Sequence, residues 1–249
     1  MSPETAPPAI ALTQVSKRYV LRKHKAFLMR EIANRLLMRK IAHDEFWAMR
    51  DVTFSIAHGE TVAVVGRNGA GKSTLLGLVA GTIYPTHGAV SVSGRVGALL
   101  ELGAGFHPDM TGKENIYLNA SLLGLQKQQI DERFERIVAF SELAEFIDVP
   151  LRNYSSGMQV RLGFSVAAHT DPDVLLMDEV FAVGDQEFQR KCVERIAEFK
   201  AQRKTMLFVG HGLETLREIC ERAIWIDHGR VRADGPIAEV LRSYGAHKH

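Results

Sequence analysis

Apolar and polar positions divide the chain into two kinds of strand and a set of helices. Ile10 to Val15 alternates, is closed by Lys17-Arg18-Tyr19, and predicts a strand with one wet face; Asp51 to Ile56 alternates in the same way. Thr61-Val62-Ala63-Val64-Val65 and Val174-Leu175-Leu176-Met177 are instead continuous apolar runs, the pattern of strands covered on both faces. Thr205 to Val209 and Ala223-Ile224-Trp225-Ile226 predict two further strands, and His228-Gly229 turns the last one into Arg230-Val231. Ala89 to Val92 and Val96 to Leu100 are short strands broken at Ser93-Gly94, expected to join the first strands in a small antiparallel lobe around the first βα unit.

Helical spacing fills the intervals. Leu75 to Ala80 is apolar and helix-compatible; Thr111-Gly112-Lys113-Glu114 is a capping box that opens a helix through Leu123; a second helix runs from Gln128 to Phe140. Further helices are predicted for Gln159 to His169 (Ser155 as N-cap), Glu187 to Gln202, Leu213 to Cys220, and from Pro236 to about Tyr244. The βα alternation implies a mostly parallel, helix-covered sheet. The section from roughly 111 to 170 interrupts it and reads as an inserted helical lobe. The expected fold class is α/β, with an antiparallel β lobe and an inserted helical lobe. Residues 1–8 form a loose N-terminus and residues 9–246 the domain, with a basic helical insertion over about 21–47.

That insertion is the one compositional departure. From Lys17 to Lys40 there are nine Lys or Arg and one acid, Glu31, and apolar residues recur near helical spacing across Ala26 to Ala42. An amphipathic basic helix there is either a solvated helix packed on the small sheet or a contact for anionic lipid headgroups or a phosphate-bearing substrate. Elsewhere the composition is ordinary: 249 residues, 46% hydrophobic, 24% charged, net charge +2, which gives no argument for a nucleic-acid partner. Cys192 and Cys220 sit in helix-like segments without CxxC spacing, as reduced thiols would. No apolar run has transmembrane length and the N-terminus has no signal-peptide core, so a membrane role is expected through a partner or by surface contact.

Candidate chemistry begins at Gly66-Arg67-Asn68-Gly69-Ala70-Gly71-Lys72-Ser73, followed by Thr74, which satisfies GxxxxGK[ST] between a strand and a helix. The glycines let backbone N–H groups turn inward around a phosphate, and the helix N-terminus adds partial positive charge. Lys72 is expected to reach the β- and γ-phosphates of a nucleotide, and Ser73 to hold Mg²⁺, so the expected core is that of a P-loop NTPase. Asp178-Glu179 ends a buried strand, where α/β sheets bind ligands: Asp178 for Mg²⁺, Glu179 for orienting or deprotonating the attacking water.

The order phosphate loop, Tyr154-Ser155-Ser156-Gly157-Met158, Leu175-Leu176-Met177-Asp178-Glu179, Val183-Gly184-Asp185 and His211 resembles the nucleotide-binding subunit of an ATP-binding cassette (ABC) transporter over about residues 9–246. The resemblance implies a head-to-tail homodimer with two ATP molecules sandwiched between subunits. Ser155 and Gly157 match the signature residues that approach the partner's γ-phosphate. Asp185 matches the loop that crosses the interface, and His211 the switch histidine. Two departures stand out: the signature reads SSGM where SGGQ is usual, and Glu101-Leu102 occupies the region of the usual glutamine, so that either residue takes its place. The aromatic that stacks on adenine is Tyr19, which follows the first strand, or Phe46 or Trp47. The phrases LLELGAGFHPDMTGKENIYLNASLLGL, YSSGM and MDEVFAVGD resemble the branch that exports O-antigen, capsule and teichoic acid, commonly as lipid-linked glycans.

The resemblance therefore implies an ATPase that powers polysaccharide export through a separate permease, which is expected to dock between the helical lobe and the Glu101 to Met110 loop and to hold the chain at the cytoplasmic face of the inner membrane. Some O-antigen members of that branch carry a C-terminal carbohydrate-binding domain, and the chain, ending at His249, is expected to lack one. The alternatives are another ABC transporter branch, a nontransport ABC regulatory protein, and a switch that binds ATP without hydrolysing it.

Overall fold

A computed structural model describes residues 7–21, 44–99, 105–178, 185–210 and 212–247. Two sheets organise the domain. Strand β1 (Ile10–Leu21) lies between β2 (Asp44–Ile56) and β4 (His87–Val92) in an antiparallel sheet. The second sheet has the order β5 (Val96–Leu99), β6 (Val174–Asp178), β7 (Thr205–Val209), β3 (Thr61–Val65), β8 (Arg222–Asp227), β9 (Arg230–Pro236). All neighbours in it are parallel except the edge pair β8–β9.

The continuous apolar runs are explained by burial on both faces. Val62 and Val64 of β3, Leu176 of β6 and Ile224 of β8 face a core shared with the antiparallel sheet and α1 (Lys72–Val79). Their neighbours Ala63, Val65, Met177 and Trp225 face the opposite core, closed by α5 (Gln186–Ala201), α6 (Leu213–Ile219) and α7 (Ile237–Ala246). On α5 the buried residues are Phe188, Cys192, Ile196 and Phe199, one helical stripe. Each such side chain stabilises the fold by roughly 1.5–3 kcal/mol. A third core lies among α2 (Gly112–Leu122), α3 (Lys127–Ser141) and α4 (Ser156–Ala168), built on Ile116, Ile130, Ile137, Leu162 and Val166. Helix α4 serves two cores, because its Phe164, Ala167 and Ala168 pack on the sheet side.

Two strand expectations need correction. Strand β5 does not join the antiparallel lobe: it pairs in parallel with β6, Val96 opposite Val174 through Leu99 opposite Met177. The choice is made 78 residues away, where Asp173 Oδ2 accepts the Arg95 N–H at 2.8 Å and the Arg95 guanidinium donates to the Asp171 carbonyl. The β1–β2 ladder also runs beyond its expected ends, pairing Tyr19 with Phe46, Val20 with Glu45 and Leu21 with Asp44, so residues 44–47 are strand rather than insertion. Register shifts after Leu12, Val15 and Lys17 conceal the alternation, and the Arg18–Glu45 ion pair (2.7 Å) spans the extended end. The predicted helix over 26–42 lies outside the described residues.

Candidate phosphate site and its partner surfaces

The loop between β3 and α1 is held in shape by close backbone packing. Gly69 (φ 79°) and Gly71 (φ 109°) occupy left-handed conformations that side-chain-bearing residues resist. At Gly66 the need is space: a Cβ there would stand 2.2 Å from the Ile226 carbonyl oxygen. The Gly229 N–H donates to the Ala70 carbonyl (3.0 Å) and the Arg50 N–H to the Gly229 carbonyl (2.8 Å), tying the loop to the β8–β9 turn and to β2. The Lys72 side chain runs inside the loop, where Nζ donates to the carbonyls of Gly66 (2.8 Å) and Arg67 (3.1 Å). Helix α1 has no side-chain cap and no acid in its first turn, so its leading N–H groups face the loop's concavity. An ammonium, a helix N-terminus and glycine backbone converging on one hollow make an anion site with the shape of a phosphate chain.

That hollow is a cleft of about 410 Å³. Asn68, Gly69, Gly71, Lys72, Ser73 and Thr74 line one wall, and Asp178, at the carboxyl end of β6, faces them. Arg67 is exposed at the loop's rim, and Gly66 and Ala70 are buried beneath it. A hydroxyl and a carboxylate from two elements are hard oxygen donors of the kind Mg²⁺ takes alongside phosphate oxygens and water, so Ser73 and Asp178 fit the ion expected of them. Glu179, which follows Asp178 directly, and His211 lie outside the described residues, as do Glu101 and Leu102.

The far wall of the cleft distinguishes the three aromatics. Phe46, 48% exposed, lines it together with Ala48 of the same strand. Tyr19 is opposite Phe46 in the ladder, hence on the same face but one strand further away. Trp47 projects to the other face, where it stacks on His87 (6.1 Å) beneath the guanidinium groups of Arg18 and Arg50.

Ser155 caps α4, its Oγ accepting the Met158 N–H at 3.2 Å, as the sequence predicts. Gly157 follows in the first turn, and among the described residues a Cβ there would meet nothing closer than Ser155 Oγ at 3.8 Å, so no packing among them demands glycine. Asp185 caps α5, Oδ1 accepting the Phe188 N–H at 3.0 Å. That backbone bond, with Arg161 beside it, holds the Asp185 carboxyl below the usual carboxylate range. Ser155, Gly157 and Asp185 line one open recess of about 600 Å³, which shares no residue with the phosphate cleft.

A third surface adjoins the loop expected to meet the permease, and the asparagine that shapes it is not foreseen in the sequence. Asn115 on α2 is fully buried and organises the loop before it: Oδ1 accepts the His107 N–H (2.7 Å), and Nδ2 is shared among the carbonyls of His107, Met110 and Thr111 at 2.9–3.0 Å. Backbone bonds from Lys113 to Ile147, Leu151 to Met110 and Arg152 to Pro108, with the Arg152–Asp109 ion pair (2.8 Å), clamp that loop to residues 147–152. Met110, Thr111, Tyr117, Leu118 and Asp148 border a groove of about 550 Å³ beside it. The signal in the sequence was a lone asparagine one residue after a capping box, on the face turned inward.

A sequence model of the ABC transporter family matches residues 49–182. The chain is 48% identical to the O-antigen export system ATP-binding protein RfbB of Klebsiella pneumoniae, over 95% of this chain and 97% of that protein. It is 42% identical to the teichoic acids export ATP-binding protein TagH of Listeria innocua, over 94% of this chain and 69% of that one. Among solved structures, an ATP-binding subunit of an ABC transporter superposes with a TM-score of 0.75 at 24% identity, covering 95% of this chain and 93% of that chain. A dimeric ATP-binding cassette in a post-hydrolysis state with ADP and Pi superposes at 0.72 with 20% identity, covering 92% and 98%. With a phosphate-shaped loop at the switch of a parallel sheet and this family match across more than half its length, the chain belongs to the ABC transporter family, as an ATP-binding subunit.

Proposed function

We propose that the chain hydrolyses ATP to drive export of a lipid-linked polysaccharide, such as O-antigen, through a separate membrane permease. The observation that carries the reading is the 48% identity to an O-antigen export ATP-binding protein along nearly the whole of both chains. Lys72, the loop backbone from Gly66 to Gly71, and Thr74 bind the phosphates; Ser73 and Asp178 hold Mg²⁺, which when bound draws negative charge from the β- and γ-phosphate oxygens. Phe46 stacks on the base, with Tyr19 beside it. Glu179 orients the attacking water and His211 contacts the γ-phosphate. Their sequence positions support this: each follows the carboxyl end of β6 or β7, adjacent strands whose Asp178 and Val209 line the cleft.

Two such chains act as a head-to-tail homodimer. The Ser155–Asp185 recess shares no lining residue with the phosphate cleft, which supports this reading of two distinct half-sites on one chain. The spare room at Gly157 then belongs to the partner's γ-phosphate. The permease docks in the groove bordered by Met110 and Tyr117, which puts the chain at the cytoplasmic membrane face. The basic segment 26–42 contacts anionic lipid headgroups or the lipid-pyrophosphate glycan, a reading that rests on its sequence alone.

The test is reconstitution with the permease in anionic vesicles. Glu179→Gln is expected to abolish phosphate release while ATP-dependent dimers persist, and normal hydrolysis by that variant would overturn the assignment. Reversing Arg30, Arg35 and Arg39 to Glu is expected to lower glycan export while ATPase activity stays; unchanged export would reject the lipid contact.

A further inference from the structure

Arg161 lies six residues into α4 from Ser155, about 9 Å along the helix, and its side chain is only 17% exposed. Its two terminal nitrogens go to different elements. Nη1 donates to Glu142 Oε2 at 2.8 Å, and Nη2 pairs with Asp185 Oδ2, the carboxylate whose other oxygen caps α5. The guanidinium lies 5.1 Å from the centre of the Phe188 ring, which is buried against Phe164 and Phe140. The remaining oxygen of Glu142 pairs with Lys191 on α5. Two cations and two anions thus join the end of α3, the signature helix α4, and the start of α5.

A second observation shows that the junction is built. Glu142 ends α3 in a left-handed conformation, φ 58° and ψ 32°, where glycine or asparagine is the usual residue. A glutamate there is unfavourable for its backbone, and its carboxylate is engaged by both Arg161 and Lys191.

We propose that Arg161 is a positioning residue that locks the helix presenting Ser155 to the turn presenting Asp185, so both meet the second subunit's nucleotide in fixed relation. The inference rests on the head-to-tail dimer reading. The fork is what matters: guanidinium nitrogens reach Glu142 and Asp185 at once, whereas a lysine ammonium is a single point that serves one carboxylate at a time. None of these residues lines the phosphate cleft, so ATP binding to the isolated chain does not depend on them.

The experiment compares Arg161→Gln, Arg161→Lys and Ser155→Ala in ATPase kinetics, fluorescent-ATP binding to the monomer, melting temperature, and ATP-driven dimerisation in a Glu179→Gln background. Both Arg161 variants are expected to lower kcat on the order of 10- to 100-fold, the scale of a misplaced group, and to weaken dimerisation. Monomer ATP affinity should stay within twofold, and Arg161→Lys should keep its melting temperature. Full activity of Arg161→Lys, or of Arg161→Gln while Ser155→Ala is impaired, would overturn the positioning role and leave the dimer reading standing. Loss of monomer ATP binding in both Arg161 variants would assign the residue to fold stability and overturn it too. Unchanged turnover in Ser155→Ala would instead bring down the dimer reading, and this inference with it.

Discussion

Replacing Asn115 with leucine keeps the branched shape of four side-chain heavy atoms and deletes one acceptor and two donors from a fully buried position. The consequences differ among its partners. The Met110 carbonyl keeps the Leu151 N–H (2.9 Å), the Thr111 carbonyl keeps the Asn115 backbone N–H (3.0 Å), and the His107 carbonyl keeps the Met110 N–H (3.2 Å). The His107 N–H loses its acceptor at 2.7 Å in a partly buried place, and an orphaned donor costs about 1–3 kcal/mol. Three weakened carbonyl contacts add about 0.5 kcal/mol each, at the low end for a net hydrogen bond. The sum is about 2.5–4.5 kcal/mol, which the apolar leucine reduces to about 2–4 kcal/mol. Urea unfolding measures it: with a slope of about 3 kcal/mol/M, a loss of 3 kcal/mol moves the midpoint by about 1 M at constant slope. A loss below about 0.5 kcal/mol would refute the account of Asn115 as organiser of the 105–111 loop. If the loop forms the permease groove, the variant should also lose permease-stimulated ATPase activity more than basal activity.

Two further outcomes follow from the site and the core. Phe46→Ala should raise KM for ATP about tenfold with kcat little changed, because stacking on a base is worth about 1–3 kcal/mol; a larger effect from Tyr19→Ala would reverse the assignment between the two cross-strand partners. His169, at the end of α4 with its ring edge-on to Phe140, has its pKa lowered from 6.5 chiefly by burial, with Arg195 and Arg136 adding to the effect. The unfolded chain therefore takes up a proton near pH 6.5 that the folded chain resists, so stability present above pH 6.5 is lost as pH falls below it. His169→Gln should flatten the drop in urea midpoint between about pH 7.5 and 5.5, and an unchanged slope would exclude His169 as its source.

Features that depend on a few consecutive residues were legible in the chain before any fold was known. The glycine pattern from Gly66 to Gly71 dictates left-handed turns at Gly69 and Gly71 because no other residue adopts them cheaply. Thr111 with Glu114, and Ser155 before Met158, announce helix starts because each cap satisfies backbone groups within three residues. The apolar run to Asp178 foretells a strand covered on both faces, since nothing else accounts for four consecutive buried side chains.

Tertiary structure decided what depends on partners remote in the chain. Strand β5 was assigned to the wrong sheet because four residues carry no record of which edge they join, and Asp173 made that choice across 78 positions. The β1–β2 ladder outran its alternation because bulges shift the register without changing composition. Phe46, rather than Trp47, reaches the cleft because neighbouring strand residues point to opposite faces, and only the docking of β2 beside the glycine loop says which face is which. Arg161 looked like any helical arginine, and its meaning came from Glu142 and Asp185, 19 and 24 residues away. The sequence by itself determined the left-handed turns of the loop from Gly66 to Ser73, because a backbone conformation is a local property. Which wall faces that cradle, and which charges tie the signature helix to the turn beside it, were decided by contacts between distant segments, whose energies exist only once the sheets have packed.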